Sequence, residues 1–317
     1  MPTDEPRVCV VVPARNATET LGRTLTSLAA QDLSERFEVV VVDDGSDDGT
    51  AELARTAPGN VRVISEGRLG AAEARNRGVA ASRSPLIAFT DADCFPTADW
   101  LRRGVAALTG SDLVQGRVTP DPTVPLGPFD RTIWVESERG FYETANLFVR
   151  RDLFERLGGF EEWLDTGSEK LLAEDVWFGW RVVRSGARTR FADDAVVHHA
   201  VFPRGPGGYV SERLRLRYFP FIARQIPEFR RRTLFARVFL SPQSAAFDAA
   251  LASGIAAAMR HSPLPLVAAL PYARLVTRGT VMFRRRAPLV VAARVCADAV
   301  TVGALLAGSV RARSLIL

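Results

Sequence analysis

Four short apolar runs, each followed by a stretch of helical character, constrain this chain more than any other feature. They are Val8–Val12, Phe37–Val42, Val61–Ile64 and Leu86–Thr90. Runs of this length without polar alternation suit strands covered on both faces of a sheet. After the first run, Asn16-Ala17-Thr18-Glu19 reads as a helix N-cap with a reciprocal Glu. Leu21, Leu25, Leu28 and Ala29 then recur at helical spacing. Helices are expected again over about Gly49–Ala57 and Leu69–Ser82. Strand and helix in alternation predict a parallel sheet with helices packed on its faces.

In such sheets ligands bind outside the carboxyl ends of the strands. Three of those ends carry polar groups: Pro13–Asn16, Asp43–Ser46 and Asp91–Asp93. Asp91 and Asp93, one residue apart, suit a hard divalent cation that also carries substrate phosphates. An isolated pair of this kind is also an ordinary solvated turn. Asp43-Asp44-Gly45-Ser46 has the composition of a plain turn as well. No Gly-x-Gly-x-x-Gly follows the first strand and no Gly-Lys-Ser/Thr occurs, which disfavours a dinucleotide dehydrogenase and a P-loop NTPase. Asp44–Asp48 superficially matches a calcium loop, but Arg55 stands where the bidentate Glu belongs.

The chain has 317 residues, 47% hydrophobic and 24% charged, which is room for one large domain or two modest ones. Its formal charge is +5, and because Lys170 is the only lysine the cationic charge is almost all arginine. Arginine grips phosphate through a bidentate fork that lysine lacks. Cys9, Cys94 and Cys296 have neither pairing nor metal-ligand spacing, so a reducing compartment is expected. Val8–Val12 is too short for the apolar core of a signal peptide.

Val11–Asn16 (Val-Val-Pro-Ala-Arg-Asn), Val41–Ser46 (Val-Val-Asp-Asp-Gly-Ser), Gly70 with Ala74-Arg75-Asn76-x-Gly78, and Asp91-Ala92-Asp93 together resemble the opening of the family 2 glycosyltransferases. Thr144-Ala145-Asn146-Leu147 with Gly158-Gly159-Phe160 resembles the acceptor-side segment of that family, and Glu174-Asp175 followed by Arg181 resembles its Glu-Asp motif. The resemblance runs from about Val8 to Phe202. It implies a GT-A fold, Rossmann-like and mainly parallel, and displacement of a nucleoside diphosphate from a sugar by an acceptor hydroxyl, with inversion. It also implies Mg²⁺ or Mn²⁺ as cofactor.

The same resemblance assigns roles. Asp93 touches the metal, and Asp91 contacts ribose or donor. Pro13, Ala14, Arg15 and Asn16 face the nucleotide, Asp43 and Asp44 accept hydrogen bonds from base or ribose, and Arg75 pairs with the diphosphate or base. Asn146 and Glu174 lie on the acceptor side. Asp175 is the general base, which inverting transfer requires within hydrogen-bond reach of the acceptor hydroxyl. It also sits where a helix start favours acids in any protein, ahead of an apolar stripe of Val176, Trp177, Trp180 and Val183. His198-His199 closes a strand expected at Ala195–Val197. Neighbours on a strand face opposite ways, and the resemblance maps the metal ligand onto His199. Processive members carry Gln-x-x-Arg-Trp downstream. Ser211–Tyr218 does not match it, so a single addition is expected.

Beyond Phe202 the composition shifts. Residues 204 to 237 hold nine arginines against two acids, Glu212 and Glu228, and Arg284-Arg285-Arg286 adds a second cluster. The apolar stretches Val238–Met259, Leu264–Val276 and Ala287–Val310 lie among them. Basic segments beside apolar helices suit an anionic membrane surface. Ala287–Val310 is long enough to span, but carries Arg294 and Asp298 near its middle, spaced to pair on one face. The expectation is a catalytic domain over residues 1–203 and a helical, membrane-associated region over 204–317. The partners would be a nucleotide-sugar and a lipid-linked or glycan acceptor at the cytoplasmic membrane face, without nucleic acid. A nucleotidyltransferase and a non-catalytic nucleotide-sugar-binding or membrane scaffold protein remain open alternatives.

Overall fold

The computed structural model describes residues 5–164 and 173–317. The chain divides into two compact units, one of Met1–Pro125 with Thr132–Val201 and the other of Leu126–Arg131 with Phe202–Leu317.

The first unit is built on an eight-stranded sheet in the order β3-β2-β1-β4-β7-β6-β8-β5. Its strands are β1 (Val8–Ala14), β2 (Phe37–Asp44), β3 (Val61–Glu66), β4 (Leu86–Phe89), β5 (Cys94–Pro96), β6 (Leu113–Pro120), β7 (Leu147–Arg150) and β8 (Thr189–His199). The helices are α1 (Thr18–Ala29), α2 (Thr50–Arg55), α3 (Ala71–Ala80), α4 (Trp100–Leu108), α5 (Arg151–Arg156) and α6 (Glu174–Arg184). β3, β2, β1 and β4 are parallel, as the alternation predicts. Past β4 the sheet is mixed: β7 runs antiparallel to β4 and β6, and β5 antiparallel to β8. The parallel strands expected from the alternation make up the first half of the sheet, and the antiparallel pairs enter where strict strand–helix alternation stops at β4.

The registers align the strand ends. Ala14 pairs with Asp43 and Val11 with Phe89, so the turns after β1, β2 and β4 leave one rim. Leu21, Leu25 and Leu28 of α1 are buried with Val10, Val12 and Val41 in the main core. Burying each such leucine contributes about 1.5–3 kcal/mol. Two glycines admit close packing. A Cβ on Gly78 of α3 would sit 2.4 Å from Val11 Cγ1, and one on Gly104 of α4 would sit 2.1 Å from the Phe148 ring. Gly78→Ala would push α3 off β1.

Local expectations are adjusted at several points. Asn16 does not cap α1: Ala17 precedes that helix and no side-chain cap forms. Asn16 instead adopts φ 47°. The first N–H groups of α1 find partners in the next turn, Ala17 N donating to Thr50 Oγ1 and Thr18 N to Asp48 Oδ2. In α6 the buried face comprises Val176, Phe178, Trp180 and Val182 with Gly179, while Trp177 and Val183 are only partly covered. The strand foreseen at Ala195–Val197 extends over the whole of β8.

The second unit is helical: α7 (Pro206–Ser211), α8 (Phe219–Gln225), α9 (Pro227–Arg232), α10 (Pro242–Arg260), α11 (Leu270–Thr277) and α12 (Ala287–Ala312), with 3-10 turns at Glu212–Tyr218, Leu264–Ala269 and Thr280–Arg286. Pro242 opens α10 behind a Ser241–Ser244 capping box, where its missing N–H costs nothing. The long helix α12 packs against α7, α8, α10, α11 and two of the 3-10 turns. Gly308 allows this, because a Cβ there would lie 2.0 Å from the Arg217 carbonyl oxygen. Arg294 and Asp298 do not pair with each other. Arg294 donates to the carbonyls of Val276 and Arg278, and Asp298 accepts from Gln243 and Tyr272. Among the described residues, Thr280–Ala312 is the one helical stretch long and apolar enough to cross a membrane.

Candidate active site

Two of the rim turns are fastened together. Asn16 N donates to Ser46 Oγ at 2.9 Å, and Asn16 Oδ1 accepts from Asp47 N at 3.1 Å. Asp48 takes Thr50 and both donors of Thr18, and these hydrogen bonds, Thr50 first, hold its carboxyl down at about 2. The left-handed backbone at Asn16, tolerated by Asn more than by most residues, aims the amide across the gap.

Asp43 and Asp44, adjacent in sequence, have different surroundings. Asp44 accepts from Leu69 N and Gly70 N, fixing the segment that leads into α3. Asp43 is 4% exposed, and its Oδ1 is buried without a hydrogen-bond partner. A buried carboxylate oxygen left unpaired is costly. Asp43 thus retains acceptor capacity that Asp44 has spent.

The turn after β4 carries Asp91 and Asp93. Arg75 of α3, with a side chain 7% exposed, donates from Nη2 to Asp91 at 2.9 Å and from Nη1 to Glu174 at 3.0 Å. Burial opposes the guanidinium charge, but Asp91 and Glu174 more than offset it. The expected partner of Arg75 was a diphosphate or base. In the structure its two Nη groups meet these carboxylates, while its Nε is buried without a hydrogen-bond partner.

Asp175 follows Glu174 and accepts from its neighbour Val176 N at 2.7 Å. Burial, then the charges of Glu174 and Glu143, push its carboxyl well above the ordinary carboxylate range, with Arg75 opposing. Glu143 is itself raised by burial, and Gln115 of β6 donates to it. Sequence reasoning missed Glu143 and Gln115. The available signal was position alone, since Glu143 immediately precedes the Thr144–Leu147 segment.

Beyond Asp91, the Asp93 carboxylate faces His199. Asp93 Oδ2 lies 3.4 Å from His199 Nε2. His199 Nδ1 lies 2.7 Å from the Ala200 carbonyl oxygen, an acceptor that suits an N–H on Nδ1 and turns Nε2 toward Asp93. Pairing of β5 with β8, with Cys94 opposite His199, sets this approach. Cys94 lies close enough to complete a three-atom cluster within 4.8 Å. Burial, then the nearby Asp91 and Asp93 charges, push its thiol well above the ordinary range. His198 points the other way, with Nδ1 2.9 Å from Thr119 Oγ1.

Asn146 is corrected. It is fully buried, donates to the Arg117 and Ala195 carbonyls and accepts from Trp100 Nε1. Its amide is a strut joining β6, β8 and α4, and full burial keeps it from an acceptor. Gly116 makes room for it, since a Cβ there would lie 2.3 Å from Asn146 Nδ2.

Residues 9–160 match the model for glycosyl transferase family 2. The glycosyltransferase AglE of Haloferax volcanii is 35% identical over 215 residues, covering 63% of this chain and 69% of the relative. A pre-mycofactocin glycosyltransferase of Mycobacterium tuberculosis is 29% identical over 215 residues, 61% of this chain but only 42% of the relative. Among solved structures, a mannosyltransferase of Pyrobaculum calidifontis in complex with GDP-Man and Mn²⁺ superimposes with a TM-score of 0.62 at 23% identity, over 97% of this chain and 88% of that one. S. aureus TarS 1-349 in complex with UDP-GlcNAc gives a TM-score of 0.51 at 20% identity, over 97% of this chain and 92% of that one. These two likenesses are of fold, and with the mixed sheet above they bear out the GT-A expectation.

Proposed function

This chain belongs to glycosyl transferase family 2, and from that premise we propose that it transfers one sugar, with inversion, from a nucleoside-diphosphate donor to a hydroxyl of a lipid-linked or glycan acceptor. The observation that carries the reading is the meeting of Asp91, Glu174 and Asp175 around Arg75.

Asp175 is the base. Its raised proton affinity, from burial and neighbouring carboxylates, suits a group that must take a proton from an acceptor hydroxyl near neutral pH. Glu174 stands on the acceptor side, and Arg75 positions it against Asp91. Asp43 accepts from base or ribose, with Pro13, Ala14, Arg15 and Asn16 beside it on the rim. Asp44 supports the same rim from behind.

The Asp93 and His199 pair fits a divalent cation, Mg²⁺ or Mn²⁺. Two electron-pair donors facing each other at 3.4 Å, with the far imidazole nitrogen committed to a carbonyl, are arranged as ligands are. The Mn²⁺ in the Pyrobaculum complex supports that choice. When bound, such an ion supplies positive charge for the departing diphosphate. Asp91, held by Arg75, would keep the donor side of the turn in register.

The second unit associates with the cytoplasmic membrane face. Met259, Leu264, Val281, Met282 and Val310 are exposed on it, and the same unit carries the arginines of residues 204–237 and 284–286. Since α12 is the helix on which the unit is built, we take it to lie in the interface. Single addition follows from the missing Gln-x-x-Arg-Trp at Ser211–Tyr218.

The test is turnover with a panel of nucleotide-sugars and Mn²⁺. Release of a nucleoside diphosphate with Asp175→Asn inert supports the reading. Release of pyrophosphate, or equal turnover by the variant, overturns it.

A further inference from the structure

A groove of about 570 Å³ opens within the second unit between α7 and α12. Val210 and Leu214 form one wall, and Leu289, Ala292, Cys296 and Val300 the other. The volume lies in the roughly 300–1,000 Å³ range of small-ligand sites. The lining includes no charged side chain.

Its surroundings are cationic. Arg204 and Arg213 lie against the Tyr209 ring at 5.5 and 4.9 Å, one turn from the first wall. Arg215 and Arg217 follow Leu214, and Arg284-Arg285-Arg286 precede Leu289 by one turn of the second wall. Glu212 is engaged by Arg204 at 2.7 Å, and Asp298 by Gln243 and Tyr272. With Arg204 and Glu212 neutralising each other, Arg213, Arg215 and Arg217 on one side and Arg284–Arg286 on the other leave net positive charge beside the apolar slot. That charge pattern selects against a neutral apolar peptide and for a hydrocarbon tail carrying an anionic head.

We propose that this groove binds a hydrocarbon chain of an anionic bilayer phospholipid, with the flanking arginines taking the phosphate. The proposal rests on the membrane association of the second unit and adds to it a defined lipid site. Interfacial helices hold to a bilayer by general apolar burial. A groove that takes a chain out of the leaflet also fixes the orientation of the unit.

Cys296 supplies the readout. It is the exposed cysteine of the chain, Cys9 and Cys94 being buried, and it lines the groove. The full chain is mixed with phosphatidylglycerol or phosphatidylcholine vesicles, and both flotation and maleimide alkylation of Cys296 are followed. Phosphatidylglycerol should slow alkylation at least tenfold, and phosphatidylcholine less than twofold. Ala292→Trp and Val210→Trp fill the groove from opposite walls. Each should still float with phosphatidylglycerol, yet show an alkylation rate unchanged by those vesicles. Flotation of the native chain without protection overturns the groove and leaves membrane association standing. Absence of flotation overturns membrane association and the groove with it. Protection that persists in both variants, or is equal with the two lipids, also overturns the proposal.

Discussion

Arg75 of α3 and Glu174 of α6, 99 residues apart in sequence, are joined by a 3.0 Å hydrogen bond in the candidate site. The same guanidinium holds Asp91 at 2.9 Å. Removing one partner of a buried ion pair costs about 3–5 kcal/mol, because the other charges stay behind. Arg75→Ala should therefore lower the melting temperature by several degrees and abolish transfer. Arg75→Lys should rescue little, since a compact ammonium does not span both carboxylates as a planar fork does. Native-like melting of Arg75→Ala in thermal denaturation would remove the linkage.

Asp175→Asn should leave donor affinity within about twofold while kcat falls by roughly 10²–10⁴, the usual worth of a positioned general base. Calorimetry and steady-state kinetics separate the two effects. A loss confined to KM would indicate binding rather than proton transfer.

The pH dependence has a definite sign. Burial, then Glu174 and Glu143, raise the Asp175 carboxyl, and a base works only when deprotonated. The kcat/KM profile should climb with pH through that raised value, well above the ~3.9 of a free Asp. Stability runs the opposite way. The folded protein holds this proton more tightly than the unfolded chain, so the carboxyl stabilises the fold below the unfolded pKa and loses that contribution as pH rises toward the folded one. Asp175→Asn should accordingly out-melt the native protein by a margin that widens with pH across this window. A constant margin would contradict the assignment.

Asp43 and Asp44 should separate cleanly. Asp44→Ala removes the acceptor of two backbone N–H groups and should cost about 1–3 kcal/mol, read by chemical denaturation. Asp43→Ala removes an oxygen with no partner, so it should leave stability unchanged or improved while weakening donor binding at least tenfold. Reversal of these two outcomes would exchange their roles.

His199→Ala and Asp93→Asn should each weaken Mn²⁺ binding at least tenfold in the presence of the donor nucleotide, whereas His198→Ala should not. Titration calorimetry reads all three, and chelation of divalent ions should reproduce the loss of activity. Equal Mn²⁺ affinity in all three variants would exclude the Asp93–His199 pair as the ligand set.

The parallel half of the sheet was legible because buried parallel strands write themselves as continuous apolar runs: Val8–Val12 and Phe37–Val42 admit little else. The mixed half was not. β7 is four residues long and β5 three, too short for any period to register. Asp91, Asp93 and Glu174-Asp175 could be read from motif order, and the structure gathers Asp91 with Glu174 through Arg75. That Arg75 would clasp both, that Asn146 would be consumed by three internal hydrogen bonds, and that Glu143 would sit near Asp175 depend on contacts between distant segments. No local pattern encodes these. The Asn16 cap failed for the same reason, since a neighbouring turn outcompeted the local one.

The fastening of Asn16 to Ser46 and Asp47 bears on efforts to redesign nucleotide preference. A loop transplanted from another enzyme at only one of these strand ends would arrive without its mate, leaving an amide and a hydroxyl stranded. Donor choice should therefore be heritable in grafting experiments only when both turns travel as a matched set.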